Sequence, residues 1–526
     1  MKKLINKVIK KNNYYSNCWW CLILIVAFFY RGCLINELPR GMNRDEAAIA
    51  YNAWLLAETG KDEWESVYPI ILESFGDNRL PGYPYAVALL YKFLPVNNLV
   101  VRLPSIFSGL AIVVLTYVIL KKIYGKKVGL IASFLVAVNP IFIWYSRGAW
   151  EVNLSLLLVL LIMWLITSVY VAHKKWHFWQ LWIILILLIL AFLTYNAMMI
   201  MAVVIWFFLP WFFWEKGKSF YLPLMGVLML AIIPCVIILT PVTKSKNSVT
   251  IFSEVVTHYQ FIDYRQNFSG WKLKILGNRY VFMSKLLLEN TLASFSPKFW
   301  WRGGEHPWHQ LSGYNHLTLM TIVMVYVGLI MLLVSVLIKI RNLSGWWHCT
   351  ELKWLVLLGL TLVPSVITTD APHATRSLAF FYLLMILLAV MLVKNIQWRK
   401  YQWLIVILLV LIFSESINYF YHYVTVLKNK NIYQYGISEL LGNDKRPTLI
   451  INDERQYQYI KLAWESKMPA EIFWSTIVRE KPNPAGIIPV SDLANYHFFD
   501  YGVDLWPNWQ VVRYNIEKQR WERQDD

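Results

Sequence analysis

Residues 179–214 read WQLWIILILLILAFLTYNAMMIMAVVIWFFLPWFFW, an apolar run with one polar break at Thr194-Tyr195-Asn196. As a single α-helix these 36 residues would run roughly 54 Å at ~1.5 Å per residue. The hydrocarbon of a bilayer is only ~30 Å thick. The stretch therefore reads as two membrane helices that turn at Tyr195-Asn196. That reading decides the fold, because every loop after it takes its side of the membrane from the count.

With this pair separated, eleven spans are expected: Cys18–Leu38, Val101–Leu120, Val128–Tyr145, Val152–Val171, Trp179–Tyr195, Ala197–Trp214, Tyr221–Val242, Leu317–Ile338, Trp354–Thr368, Leu378–Val393 and Trp403–Tyr419. If the lysine-rich start MKKLINKVIKK is cytoplasmic, so are KKIYGKK, HKKWH, EKGK, KIRN and KNIQWRK. The short outer turns keep only Arg147 and Arg376. This is a consistent positive-inside pattern, and dropping one span would reverse every later loop. The N-terminal stretch is read as a retained helix rather than a signal peptide, since no small-residue cleavage site follows it.

Composition agrees with a polytopic membrane protein. The 526 residues are 57% hydrophobic with a mean hydropathy of +0.44. The five cysteines lie in or beside apolar segments rather than in a spaced framework, so neither a disulfide scaffold nor a zinc ribbon is implied. The charge of +18 does not point to nucleic acid, because many of the cations fall in short loops where they orient the spans.

Four polar segments then share the outer face: the first loop (40–100), the turn 146–151, the long loop 243–316 and the turn 369–377. The C-terminal part, 420–526, lies there too. Its strand-like runs TLIIN, GIIPV and WQVVRYNI, set between turn and helix signals, predict a small α/β domain. In the first loop MNRDEAAIAYNAWLLAETG (42–60) predicts an amphipathic helix lying against the membrane, with Asn43 as N-cap, Glu46 at the third helical position and Gly60 as the stop. A second outer helix is expected in LPGYPYAVALLYKFLP (80–95).

Asp45 and Glu46 at that helix start either complement the helix dipole or place an ionised carboxylate to remove a proton from an acceptor hydroxyl. Arg147 and Glu151 are four residues apart and read as an ion pair at a helix mouth, or Arg147 faces an anion that suits guanidinium geometry. The segment 294–317, dense in Trp, Gly, His and Arg, is an ordered interfacial loop or part of a site. Its His306, His309 and His316 lack metal-ligand spacing. TTDAPHATRSL (368–378) sets Asp370, His373 and Arg376 in a turn too short to need them for solubility, which favours function.

A base, cations and aromatic surfaces on one side of a membrane suit a reaction between a lipid-phosphate donor and an exported acceptor. On these residues the chain resembles the polyprenyl-phosphate-dependent GT-C glycosyltransferases, in the branch of protein O-mannosyltransferases and lipid A aminoarabinose transferases (glycosyltransferase family 39 type, bacterial members). The resemblance runs from about Asn36 to Asn418. It rests on Asp45-Glu46 together with FGDNRLPGYPYAVALLYKFLP (75–95), VVRLPSIFSGLAIVVLTYVILKKIYG (100–125), VAVNPIFIWYSRGAWEVNLSLLL (136–158), LAFLTYNAMM (190–199), FSPKFWWRGGEHPWHQLSG (295–313) and DAPHATRSL (370–378).

The resemblance implies a GT-C transmembrane domain over 1–419, with outer juxtamembrane helices, and an extracytoplasmic C-terminal α/β domain over 420–526. It implies an inverting transfer of a sugar from a polyprenyl-phosphate donor to a hydroxyl of an exported protein, lipid or glycan. Asp45 would be the general base and Glu46 its helper. Arg79, Arg147, His373 and Arg376 would meet the donor phosphate, and Glu151, Arg302 and His306 the substrates. The family commonly carries a Lys/Pro-rich segment where this chain has NRLPGYP, so Arg79 would take over that cationic task. Family members differ in metal use, and with no site in the sequence to settle it the resemblance leaves a divalent metal open. The competing readings are a transporter or flippase of lipid-linked sugars, and a sensor or scaffold. Transport is disfavoured because no expected span carries Asp, Lys or Arg near its middle.

Overall fold

The 179–214 stretch breaks where its length requires. In a computed structural model of the chain one helix covers Phe178–Phe192 and the next Asn196–Phe212, with Tyr195 extended between them (φ −150°, ψ 121°). The structure describes residues 2–240, 250–302, 309–311, 313, 314, 316–340, 348–394, 398–442, 446–451, 455–483, 486–499 and 509–523. The first ten helices are α1 (Lys2–Gly32), α2 (Arg44–Thr59), α3 (Gly82–Tyr91), α4 (Asn98–Tyr124), α5 (Lys126–Val138), α6 (Pro140–Arg147), α7 (Glu151–Ala172), α8 (Phe178–Phe192), α9 (Asn196–Phe212) and α10 (Lys218–Ile238).

The chain divides into two compact units. One holds Met1–Cys33, Phe107–Ser146 and Val152–Phe420; the other holds Leu34–Ile106, Arg147–Glu151 and Tyr421–Asp526. Among the described residues six helices are long and apolar enough to cross a membrane, or seven if the bent pair α5–α6 is one span. The other four expected spans coincide with shorter helices: the Asn17–Gly32 part of α1, α8, α9 and Thr350–Val366. Each of the eleven expected spans is thus helical over part of its described length, while length and composition qualify seven at most. The described residues of the expected outer loop 243–316 include the helices Glu254–Gln266, Gly270–Ile275 and Arg279–Ser294.

Within the first unit the 59° bend between α5 and α6 falls at Asn139. Asn139 is extended (ψ 139°), as a residue before proline prefers, and Pro140 opens α6 where its missing N–H costs nothing. The Asn139 amide donates to the Leu135 carbonyl at 2.8 Å, and its oxygen accepts the Thr318 N–H at 3.2 Å.

The same unit buries a cation that lies inside the first expected span, past its middle. Arg31 is fully buried and donates to the carbonyls of Val136 and Ala137 (3.2 and 3.1 Å) and to the Ser146 hydroxyl (3.2 Å). Those carbonyls end α5, where a helix leaves acceptors unserved and favours positive charge. Gly109 makes room for the contact, since a Cβ there would lie 2.1 Å from the Ser146 hydroxyl and 2.9 Å from Arg31 Nε.

The second unit carries a six-stranded mixed sheet in the order β4-β5-β6-β3-β7-β8. Its strands are β3 (Thr448–Ile451), β4 (Val478–Arg479), β5 (Val490–Leu493), β6 (Tyr496–Phe499), β7 (Gln510–Asn515) and β8 (Arg520–Arg523); β1 (Leu72–Ser74) and β2 (Asp77–Arg79) form a separate hairpin. The central β3 is parallel to both β6 and β7 and buried along its whole length, as a strand covered on two faces must be. TLII (448–451) and QVVRYN (510–515) are strands within the runs TLIIN and WQVVRYNI, Asn452 lying outside the described residues. GIIPV is not: β5 starts only at Val490, because Pro489 has no N–H for a ladder and Asn483 closes a turn with Ile487 through two bonds, at 2.8 and 3.0 Å.

Gly109→Ala should therefore lower the thermal midpoint of the protein in lipid nanodiscs by several degrees. Overpacking of this kind costs about 1–3 kcal/mol, at roughly 1–2 °C per kcal/mol for a unit of this size. An unchanged midpoint would contradict the packing around Arg31.

Candidate active site

The start of α2 is built as its sequence requires. Asn43 Oδ1 accepts the N–H groups of Asp45 and Glu46, both at 2.9 Å, and Glu46 Oε2 accepts the Asn43 N–H at 3.3 Å, a reciprocal capping box. Gly60 closes the helix in the left-handed region at φ 74°. One expectation fails. The helix is not amphipathic in use, since eleven of its 16 residues are buried. Its alanines at 47, 48, 50, 53 and 57 let α3 and the helix Arg455–Glu465 pack close on it.

This arrangement turns the two acids to different tasks. Glu46 is 1% exposed, and its carboxylate is fully engaged. Oε1 accepts the Ala149 N–H at 2.7 Å and Arg102 Nε at 3.3 Å, and Oε2 also accepts the Asn43 amide at 3.2 Å. Arg102, equally buried, donates onward to the carbonyls of Pro39 (3.0 Å) and Gly41 (2.6 Å). One buried ion pair thereby joins the loop before α2, the start of α4 and the turn 147–151. Gly148 is needed there: a Cβ would meet Trp150 Nε1 at 2.5 Å and Glu46 Oε1 at 3.2 Å. Asp45, by contrast, keeps 41% of its side chain exposed.

The Asp45 carboxylate accepts a hydrogen bond from Arg79, whose side chain is 9% exposed and whose guanidinium stands 4.9 Å over the Phe75 ring. Burial works against the Arg79 charge, but the carboxylates of Asp45, Asp77 and Glu151 outweigh it and raise its pKa above the ordinary value. Arg79 therefore stays a cation, and Glu151 lies within its electrostatic reach. Arg147 is 1% exposed; it donates to the Leu38 carbonyl at 3.2 Å and lies 4.8 Å from the Tyr423 ring centre.

The C-terminal segment holds the hairpin that presents Arg79. Phe75 and Gly76 both take positive φ (45° and 81°) at its tip, the two-residue turn that suits antiparallel strands. The Phe75 carbonyl accepts the Ile488 N–H at 3.0 Å, and its N–H donates to the Tyr459 hydroxyl at 3.1 Å. A Cβ at Gly76 would lie 2.4 Å from the Gly486 carbonyl. Beneath the tip Glu63 is fully buried and accepts from Asn52 and Ser74 (2.9 Å each) and from the Tyr459 hydroxyl (2.8 Å).

The first unit assembles a second polar group. Asp370 accepts from Arg376 at 2.5 Å and lies 3.7 Å from His373 Nε2. The His309 ring is centred 4.5 Å from that of His373, and its Nδ1 lies 3.0 Å from the Thr375 hydroxyl, which meets Tyr145 at 2.8 Å. His316 is packed against Phe299 and Phe381 as a core residue. Arg302 closes the helical turn Lys298–Arg302, while its side chain and all of His306 lie outside the described residues. Among the described residues no group of three or more His, Cys, Asp or Glu is placed to hold a metal ion.

Asp45, Glu46, Arg79, Arg147 and Glu151 thus fall in one unit, and His373 and Arg376 in the other. The sequence reading missed Arg102, Glu63, Tyr459 and the pairing of His309 with His373. Arg102 had a signal, since an arginine one residue inside an expected span needs a buried partner.

Residues 78–238 match the family model described as dolichyl-phosphate-mannose-protein mannosyltransferase. The resemblance drawn from the sequence is met over these residues, while Asp45, Glu46, His373 and Arg376 lie outside the matched segment. The matched segment includes Arg79, Arg102, Arg147 and Glu151. No curated protein matches the chain. Among solved structures, the Archaeoglobus fulgidus oligosaccharyltransferase tethered to an acceptor peptide aligns with 12% identity and a TM-score of 0.49, over 86% of this chain and 63% of its own. The same enzyme with an inhibitory peptide and a dolichol-phosphate gives 11% identity and 0.48, over 87% and 64%. ArnT from Cupriavidus metallidurans bound to undecaprenyl phosphate gives 11% and 0.40, over 94% and 93%. The chain thus spans less than two thirds of the length of the archaeal enzyme.

Burial pushes the Glu63 carboxyl above its ordinary 4.5, against the opposing pull of Arg479 and its three side-chain donors. A carboxyl raised on folding stabilises the fold fully below pH 4.5 and loses that contribution as pH rises through the folded value. Glu63→Gln should therefore flatten the decline of the thermal midpoint as pH rises above 4.5. An unchanged slope would contradict this assignment.

Proposed function

We propose that the chain is an integral-membrane inverting glycosyltransferase, moving a sugar from a polyprenyl-phosphate donor to a hydroxyl acceptor at the outer membrane face. The observation that carries this reading is the half-exposed Asp45 carboxylate, fixed at the N-terminus of a capped, buried helix beside a buried guanidinium. The family match over 78–238 supports the donor class. The acceptor class, the side of the membrane and the residue roles are parts of the proposal.

In this reading an Asp45 oxygen accepts the proton of the acceptor hydroxyl as that oxygen attacks the anomeric carbon from the face opposite the phosphate. The new C–O bond forms, the anomeric C–O bond to phosphate breaks, and its electron pair leaves on the phosphate. The helix N-terminus and Arg79 set positive charge beside the Asp45 carboxylate, which favours its charged form. A phosphate leaving group needs no protonating acid, only positive charge. Arg147 is already engaged with the Leu38 carbonyl, so holding its loop is the first task assigned to it. His373 and Arg376 keep the phosphate-binding role, to be tested by their own variants. Glu46 acts as a positioning residue: with its carboxylate 1% exposed, it holds the base and the 147–151 turn.

Asp45→Asn should lower consumption of polyprenyl-phosphate-linked sugar by about 10²–10⁴-fold, followed by mass spectrometry in nanodiscs with a native membrane extract as acceptor source. Its thermal midpoint should stay within a degree or two of wild type. Full activity in this variant would remove Asp45 as the base. A wild-type chain that consumes no donor from a panel of such sugars would instead favour a transporter of lipid-linked sugars.

A further inference from the structure

The second unit has a basic cavity that the transfer reaction does not use. It encloses about 310 Å³ and is lined by Arg40, Lys428, Lys430, Lys518, Arg520 and the Tyr435 ring, among others, with Glu439 as its acidic lining residue. A volume near 300 Å³ is at the small end of ligand sites and takes one phosphorylated sugar unit. All five cations are exposed; Lys518 and Arg520 share Glu522, which leaves Arg40, Lys428 and Lys430 as the cations offered to a ligand.

The walls are built rather than loose. Glu522 holds Lys518 at 3.0 Å and Arg520 at 2.8 Å across the β7–β8 hairpin. The opposite wall is the loop 429–436, closed by Asn431 with the Tyr435 N–H (3.0 Å) and carbonyl (2.8 Å), and tied to the hairpin by Trp521 Nε1 on the Gln434 carbonyl at 2.9 Å. Arg40 reaches the Tyr435 hydroxyl at 3.4 Å. Like charges gathered in a concave wall repel one another, and the field they focus there attracts anions. On the topology expected from the sequence, Lys428 and Lys430 follow the last span on the outer side. There they run against the positive-inside bias, so orienting the chain does not account for them.

We propose that this cavity is a second binding site for a phosphate-bearing ligand, with the phosphate on Lys428, Lys430 and Arg40 and the adjoining group against Tyr435. A neighbouring cavity of about 320 Å³ shares Arg40, Tyr435, Gly436 and Glu439 with it and is further lined by Glu37, Lys461 and Glu465. The shared wall gives the ligand room to continue beyond its phosphate. The site is independent of Asp45 and stands whether or not the chain is a transferase.

The test uses the full chain in two kinds of nanodisc. In purely zwitterionic lipid, hexose 6-phosphate is titrated by calorimetry, with the unphosphorylated hexose beside it. In the other arm, without added phosphate sugar, phosphatidylglycerol is incorporated and the thermal midpoint is followed. The double variant Lys428→Gln/Lys430→Gln should weaken hexose phosphate binding about tenfold, and salt should weaken it in the wild type. Binding in the first arm supports the site with a soluble or glycan phosphate as its source. Stabilisation confined to the phosphatidylglycerol arm, and lost in the double variant, supports it with a lipid headgroup. The proposal is overturned if the double variant matches wild type in both arms, if hexose binds as well as hexose phosphate, or if Asp45→Asn abolishes the binding, since the ligand would then belong around Asp45.

Discussion

The buried pair of Glu46 and Arg102 is the constraint on which the rest of the candidate site depends. Taking two charges out of water is costly, and the cost is offset only when the remaining donors and acceptors are also satisfied. Here they are: Glu46 receives Arg102, Ala149 and Asn43, and Arg102 serves the Pro39 and Gly41 carbonyls. Three pieces of chain distant in sequence are thereby fixed around the first turn of one helix. The neighbouring Asp45 inherits a defined position while remaining open to solvent. Adjacent acids thus take different surroundings, one side chain facing inward to a buried ion pair and the next outward to solvent.

The C-terminal segment adds a second level of support. Its Tyr459 hydroxyl, Ile488 N–H and Gly486 carbonyl grip the β1–β2 hairpin, and the hairpin presents Arg79 to Asp45. The tyrosine also reaches Glu63, so a desolvated carboxyl group, a glycine turn and an arginine presented to Asp45 form one connected network. Changes in the C-terminal sheet would thereby reach Asp45 through the hairpin without touching it.

Much of this was legible in the sequence, for identifiable physical reasons. Hydrophobic length forced the break at Tyr195-Asn196, and the capping pattern around Asn43, Glu46 and Gly60 gave α2 almost to the residue. Local signals of that kind survive folding because they act within one turn. What stayed hidden was non-local. Nothing in MNRDE says that Glu46 will find Arg102 rather than a ligand, and nothing in GIIPV says that its backbone will hold a hairpin more than 400 residues earlier. The expectation that α2 lies amphipathically on a surface failed for the same reason, since its polar-looking face is covered by a helix from the far end of the chain. Arg31 was overlooked because a charge past the middle of a span looks tolerable until its carbonyl partners at the end of α5 are known.

The account separates a structural acid from a chemical one, and the melting curve of Glu46→Gln in lipid nanodiscs tests that separation most directly. Removing one partner of a buried pair costs about 3–5 kcal/mol, or on the order of 10 °C for a domain of this size. The account predicts such a fall for Glu46→Gln. A midpoint equal to that of wild type would contradict it, because Glu46 would then carry no architectural load and the assignment of Asp45 as the only chemical member of the pair would lose its basis.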